Sequence, residues 1–128
     1  MEHLYGKKIR GMAYPYGTYS EKVMKKLSDN GFEYARTVNS VYNFSIPENF
    51  LQWHPTCHFK DNRIWELAEQ FLNGEFSNHS VFYIWGHSYE LVNESQWQEF
   101  EDFCKYIHNR QGISYFTNIE FLDSVKSK

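Results

Sequence analysis

Val81-Phe82-Tyr83-Ile84-Trp85-Gly86-His87-Ser88-Tyr89-Glu90 is the stretch that decides how this 128-residue chain reads. Its first five residues form an unbroken apolar run of strand length, the pattern of a strand buried on both faces, as in a parallel sheet flanked by helices. The chain then turns polar at Gly86. In parallel α/β folds, ligands gather beyond the carboxyl ends of the strands. A histidine, a tyrosine and a glutamate at that position are therefore the first candidate site.

The flanking segments agree with this reading. Before the strand, Asp61 is placed to cap a helix with the stripe Ile64, Leu67, Ala68 and Phe71, closed by Asn73-Gly74. After it, Ser95 with Gln98 fits a capping box, and Trp97, Phe100, Phe103, Cys104 and Ile107 share one helical face up to Gly112. Ile113–Phe116 reads as another strand, and Thr117 with Glu120 opens a C-terminal helix. Toward the amino terminus, Lys8–Tyr14 is a strand stopped by Pro15, and Pro15-Tyr16-Gly17 is a turn. Ser20 caps a helix with the stripe Val23, Met24 and Leu27, Asn30-Gly31 ends it, and Phe32–Val38 is a strand. Asn39–Lys60 contains two prolines and no period, so it reads as a long loop, a length that is often functional. Alternation of this kind predicts one α/β domain over residues 1–128, with about four parallel strands and right-handed crossovers.

Composition limits the function. Thirteen basic against sixteen acidic residues leave a net charge of −3, which argues against broad phosphate neutralisation and so against nucleic acid as partner. No apolar run reaches the ~18 residues of a membrane span, and the polar opening is no signal peptide. The chain as given thus reads as cytoplasmic with no membrane partner. Aromatic residues make up 20% of the sequence, more than core filling asks for, and their flat faces suit sugar rings. Cys57 and Cys104 form no disulfide framework.

Taken together, Ala13-Tyr14-Pro15-Tyr16-Gly17, Gly31-Phe32-Glu33-Tyr34-Ala35-Arg36-Thr37, Trp53-His54-Pro55-Thr56-Cys57-His58, Trp85-Gly86-His87-Ser88-Tyr89-Glu90 and Thr117-Asn118-Ile119-Glu120 resemble, in this order, the later half of a polysaccharide deacetylase. This is carbohydrate esterase family four, the nodulation-type deacetylases, and the resemblance spans roughly residues 8–125. It implies half of a distorted (β/α) barrel and a family activity of metal-dependent N-deacetylation of acetamido sugars. Family members are often secreted or cell-surface proteins. Their divalent metal, zinc among them, is held by one Asp and two His from a Thr-Phe-Asp-Asp-Gly motif and a His-Ser/Thr-x-x-His-Pro motif. Neither motif occurs here, nor does any Asp-Asp pair. The expectation is a chain that binds no cofactor itself and is inactive alone. It would be a truncated or split deacetylase, or a non-catalytic carbohydrate-binding module. A half barrel leaves unpaired strand edges, which a homodimer or a separate N-terminal half would cover.

By the resemblance, Tyr16 offers its backbone N–H to the oxyanion and His87 protonates the departing amine. Departures are Ala13, where the family often has arginine, and Trp85-Gly86-His87, where it usually has Leu-x-His. Tyr14, Pro15, Trp53, Tyr89, Glu90 and Arg36 are the candidate residues for an N-acetylated oligo- or polysaccharide. Trp53 in the long loop is the foremost stacking surface, and Glu90 either orients His87 or bonds a sugar hydroxyl. His54 and His58 have the spacing of a helical zinc pair, but Pro55 between them disfavours helix. They read as groove residues without metal and are the only metal candidates.

Overall fold

The computed structural model describes residues 2–74 and 80–127. Along the chain run α1 (Glu2–Tyr5), β1 (Gly11–Ala13), α2 (Glu21–Asp29), β2 (Tyr34–Arg36), β3 (Cys57–His58), α3 (Ile64–Asn73), β4 (Ile84–Trp85), α4 (Glu94–Ile107) and α5 (Asn118–Lys126). Single 3-10 turns lie at Pro15–Gly17, Phe50–Gln52 and Ser88–Glu90. The class is mixed α/β. β1 pairs with β2 and β3 with β4, both parallel, as two separate two-stranded sheets. Among the described residues no barrel closes, and no helix is long and apolar enough to cross a membrane.

Two strand expectations change. Ile113–Phe116 is not a strand: Ile113 N–H donates to Arg110 O in a turn, and Tyr115 and Phe116 stay about half exposed. Among the described residues the segment belongs to neither sheet and runs irregular into Thr117. In contrast, β3 lies inside the segment read as loop. It is two residues long, too short to show a period.

Two of the four expected caps form, and Asp61 is not the cap of α3: Arg63 stands there without a side-chain cap bond, and Asp61 Oδ1 accepts from Arg63 N–H. Ser20 Oγ accepts from Val23 N–H at the start of α2, and Thr117 and Glu120 form a complete capping box on α5. α4 starts earlier than expected, since Asn93 rather than Ser95 is its cap, accepting from Gln96 N–H. It also ends at Ile107, before Gly112. Its buried stripe centres on Phe103, while Trp97 and Cys104 remain exposed. Both cysteines are free thiols.

The chain separates into two compact units. The first comprises Met1–Asn39, Pro47–His54 and Tyr115–Lys128. β1 and β2 pair in register from Gly11 with Tyr34 to Ala13 with Arg36, and Trp53 adds a parallel bridge to Arg36. Trp53 is 2% exposed, with ring centroids 5.0 Å from Phe50 and 5.7 Å from both Tyr34 and Phe121. Leu122 of α5 is fully buried in the same unit. Arg10 joins Glu33 and Asp123, and Lys126 reaches Glu33 at 2.6 Å, so α5 is tied down by charge as well as apolar contact.

The second unit comprises Ser40–Ile46 and Pro55–Ser114. Its core is apolar: Cys57, Ile64, Leu67, Ala68 and Phe103, with Phe44, Phe59, Phe82 and Ile84 packed against them. Buried Thr56 extends the β3–β4 ladder, its N–H donating to Tyr83 O and its hydroxyl accepting from Tyr83 N–H. Burial, then the nearby Asp61 charge, pushes the Cys57 thiol up to about 12, so it packs as a small apolar residue.

Candidate functional site

The register of the second sheet sets up its site. His58 pairs with Trp85, so His58 ends β3 beside the end of β4, and Gly86-His87 continues past it. Ser88–Glu90 then makes one 3-10 turn, with Glu90 N–H donating to His87 O at 3.0 Å. Three residues per turn bring side chains i and i+3 over one another. Glu90 is thereby folded back onto His87.

One carboxylate serves two histidines. Glu90 Oε1 lies 2.7 Å from His87 Nδ1 in a hydrogen bond, and Glu90 Oε2 lies 2.7 Å from His58 Nε2 in an ion-pair contact. Burial works to raise the Glu90 carboxyl, but the His87 hydrogen bond and the positive charge of His58 and His87 outweigh it and hold the group below its ordinary range. An ionised carboxylate can only accept, so His87 Nδ1 is the donor. His87 Nε2 is then the ring nitrogen that faces out for chemistry, in a side chain nearly half exposed. An imidazole with one nitrogen on a carboxylate and the other open is the arrangement of a general acid–base.

Aromatic rings hold this group. Tyr89 stacks on His87 at 4.9 Å and 22°, and is 75% exposed. Trp85 stands edge-on to both His58, at 4.7 Å, and His87, at 5.6 Å. Phe59 stacks on His58 at 4.7 Å. A Cβ at position 86 would run into the Phe59 ring, which accounts for glycine between Trp85 and His87.

The remaining candidates are distributed as follows. Tyr14, Pro15, Tyr16, Arg36, Trp53 and His54 belong to the first unit, and His58, His87, Tyr89 and Glu90 to the second. Tyr16 sits in the 3-10 turn after β1 with φ 57°, left-handed for a non-glycine residue, and its side chain is 99% exposed. Its backbone N–H has no partner among the described residues. Pro15 opens that turn. Tyr14 is buried, stacks on Tyr19 at 5.1 Å and donates its hydroxyl to Leu51 O. Arg36 ends β2 and donates from Nη1 to Thr37 O.

Trp53 corrects an expectation. Its ring is wedged among Tyr34, Phe50 and Phe121, and no sugar can stack on a face so covered. Tyr14 likewise contributes to the core and not to a surface. Of the candidate aromatic residues, Tyr16 and Tyr89 are the exposed ones.

His54 and His58 are each engaged by neighbouring groups. His58 Nδ1 accepts from Lys60 N–H at 3.0 Å while Nε2 faces Glu90, so both ring nitrogens are engaged. His54 Nδ1 is held 2.6 Å from Thr37 Oγ1. Among the described residues there is no group of three or more His, Cys, Asp or Glu placed to hold a metal ion. In sequence His58 reads as a groove residue in a loop, with no sign of its contact with Glu90. The two are 32 positions apart and meet only through the β3–β4 register, for which the sequence carries no local signal. Compared with protein-family models, curated proteins and solved structures, the chain matches none.

Proposed function

We propose that this chain is a polysaccharide-deacetylase-like domain, corresponding to the carboxyl-terminal half of a distorted (β/α) barrel, that binds N-acetylated sugars and supplies a proton donor to them. The observation that supports this most is the 2.7 Å hydrogen bond from His87 Nδ1 to Glu90, which leaves Nε2 as the proton-exchanging nitrogen. In the reaction, protonated His87 gives its Nε2 proton to the acetamide nitrogen as the C–N bond breaks. By the resemblance alone, the Tyr16 N–H matches the family's oxyanion donor, a role worth about 2.7–4 kcal/mol in acyl-transfer enzymes. Tyr89 offers a sugar ring its exposed face. Among the described residues the water-activating metal of this chemistry has no ligand set, so in this reading a metal-bearing N-terminal half-barrel supplies it.

A second reading, a non-catalytic carbohydrate-binding module, is favoured by the exposure of Tyr16 and Tyr89. Titration calorimetry with N-acetylated and fully deacetylated chitooligosaccharides tests the shared premise. Saturable binding of the acetylated oligomer is expected, weakened about tenfold by Tyr89→Ala, the size of one stacking contact of about 0.5–1.5 kcal/mol. Absence of binding to either oligomer rules out both readings. Acetate release on adding a half-barrel that bears the Thr-Phe-Asp-Asp-Gly and paired-histidine motifs, abolished by His87→Ala with binding intact, selects the enzyme over the binding module.

A further inference from the structure

We propose that His58 is a positioning residue for the His87–Glu90 pair, holding the Glu90 carboxylate on His87 Nδ1 so that proton exchange is confined to His87 Nε2. The inference deepens the reading of His87 as a proton donor and rests on it for its functional meaning.

Glu90 needs a second anchor. It lies on a single 3-10 turn with no buried residue, held by two backbone hydrogen bonds, Glu90 N–H to His87 O and Leu91 N–H to Ser88 O. A partly exposed charge pair three residues apart is weak on its own, too weak to keep a carboxylate on one rotamer. His58 is far better fixed. Its ring is sandwiched between Phe59 and the edge of Trp85, both at 4.7 Å, and Nδ1 accepts from Lys60 N–H. Accepting at Nδ1 puts the proton of the neutral ring on Nε2, the nitrogen 2.7 Å from Glu90 Oε2. The contact is therefore favourable whether His58 is neutral or charged. Lys60 adds a further tether, Nζ to Glu90 O at 3.2 Å. His58 thus stands to Glu90 as the outer partner of a ligating or catalytic histidine stands to its carboxylate, setting orientation without touching substrate.

Ring-nitrogen NMR of the full chain, recorded across a pH series, reads the tautomer of each neutral histidine directly. Wild type is expected to show His87 as one tautomer, Nδ1 protonated and Nε2 bare. His58→Phe should lose that single state for a mixture. His58→Gln, whose amide N–H reaches the place of Nε2, should restore it. A His87 spectrum unchanged by His58→Phe overturns the proposal, as does a failure of His58→Gln to restore it. If His58→Phe loses its dispersed amide spectrum, Glu90→Gln decides: both His58 and His87 ring signals should move, and movement of His87 alone overturns the proposal. No sugar enters this readout. A locked tautomer without sugar binding therefore removes the deacetylase reading and leaves the positioning role of His58 standing, and sugar binding without a locked tautomer does the reverse.

Discussion

His54 and His58 are four residues apart, yet they belong to different units and have acquired different chemistry. In the first unit His54 meets a neutral partner, the fully buried hydroxyl of Thr37. In the second unit His58 meets a partly exposed carboxylate at the end of a parallel strand pair. The first contact satisfies a buried polar group and helps fix a core. The second aims a charge at another titratable side chain. Residue type and spacing are the same for both, so it is the partner that decides whether a histidine is scaffolding or chemistry. The units also differ in what holds them. The first surrounds one tryptophan and ties its last helix with ion pairs, while the second closes over an apolar cluster.

The largest test of this contrast is Trp53→Ala. Removing a ring with almost no exposed surface should cost about 3–5 kcal/mol, read from urea unfolding, because the space cannot refill. A loss below about 1 kcal/mol would mean that the tryptophan is not the centre of its unit. His54→Phe comes next. It strips the Thr37 hydroxyl of its histidine partner and should cost about 1–3 kcal/mol while leaving the His87 ring tautomer as in wild type. If that tautomer changes, the division between structural and chemical histidine fails.

The smallest effect concerns Glu33. Its hydrogen bond from Arg10, then that from Lys126, hold the carboxyl down to about 2, against partial burial that pushes it up. A carboxyl lower in the folded than in the unfolded chain stabilises fully above the unfolded value of 4.5, and that stabilisation is lost as pH falls through about 2. Unfolding midpoints should drop across this window in wild type, and Glu33→Gln should flatten that part of the curve. Parallel curves for the two proteins would show that the ion pairs on α5 contribute nothing measurable.

Much of the architecture was legible from local signals. Ser20, Thr117 and Glu120 cap the helices that their spacing announces, and Gly31, at φ 84°, follows the end of α2. β1, β2 and β4 lie inside the segments expected to form them, though shorter. Ile113–Phe116 and β3 were misread for one physical reason. A strand exists only where a backbone ladder forms: Ile113–Phe116 joins neither sheet among the described residues and stays irregular, while the two residues of β3 pair with β4. The site divides in the same way. The placement of His87 and Glu90 beyond a strand end was readable, as was their i,i+3 relation. The burial of Trp53 was not, because an aromatic residue in a loop looks alike whether it faces solvent or Phe121.

The sequence by itself determined the caps of α2 and α5, the apolar stripe of α3 and the position of His87-Ser88-Tyr89-Glu90 after an apolar run, since each depends on residues a few positions apart. Tertiary structure alone decided that Trp53 is core and that His58 shares a carboxylate with His87. Both depend on which distant backbone lies alongside, and a pairing of that kind is set by packing over the whole unit, beyond any local pattern.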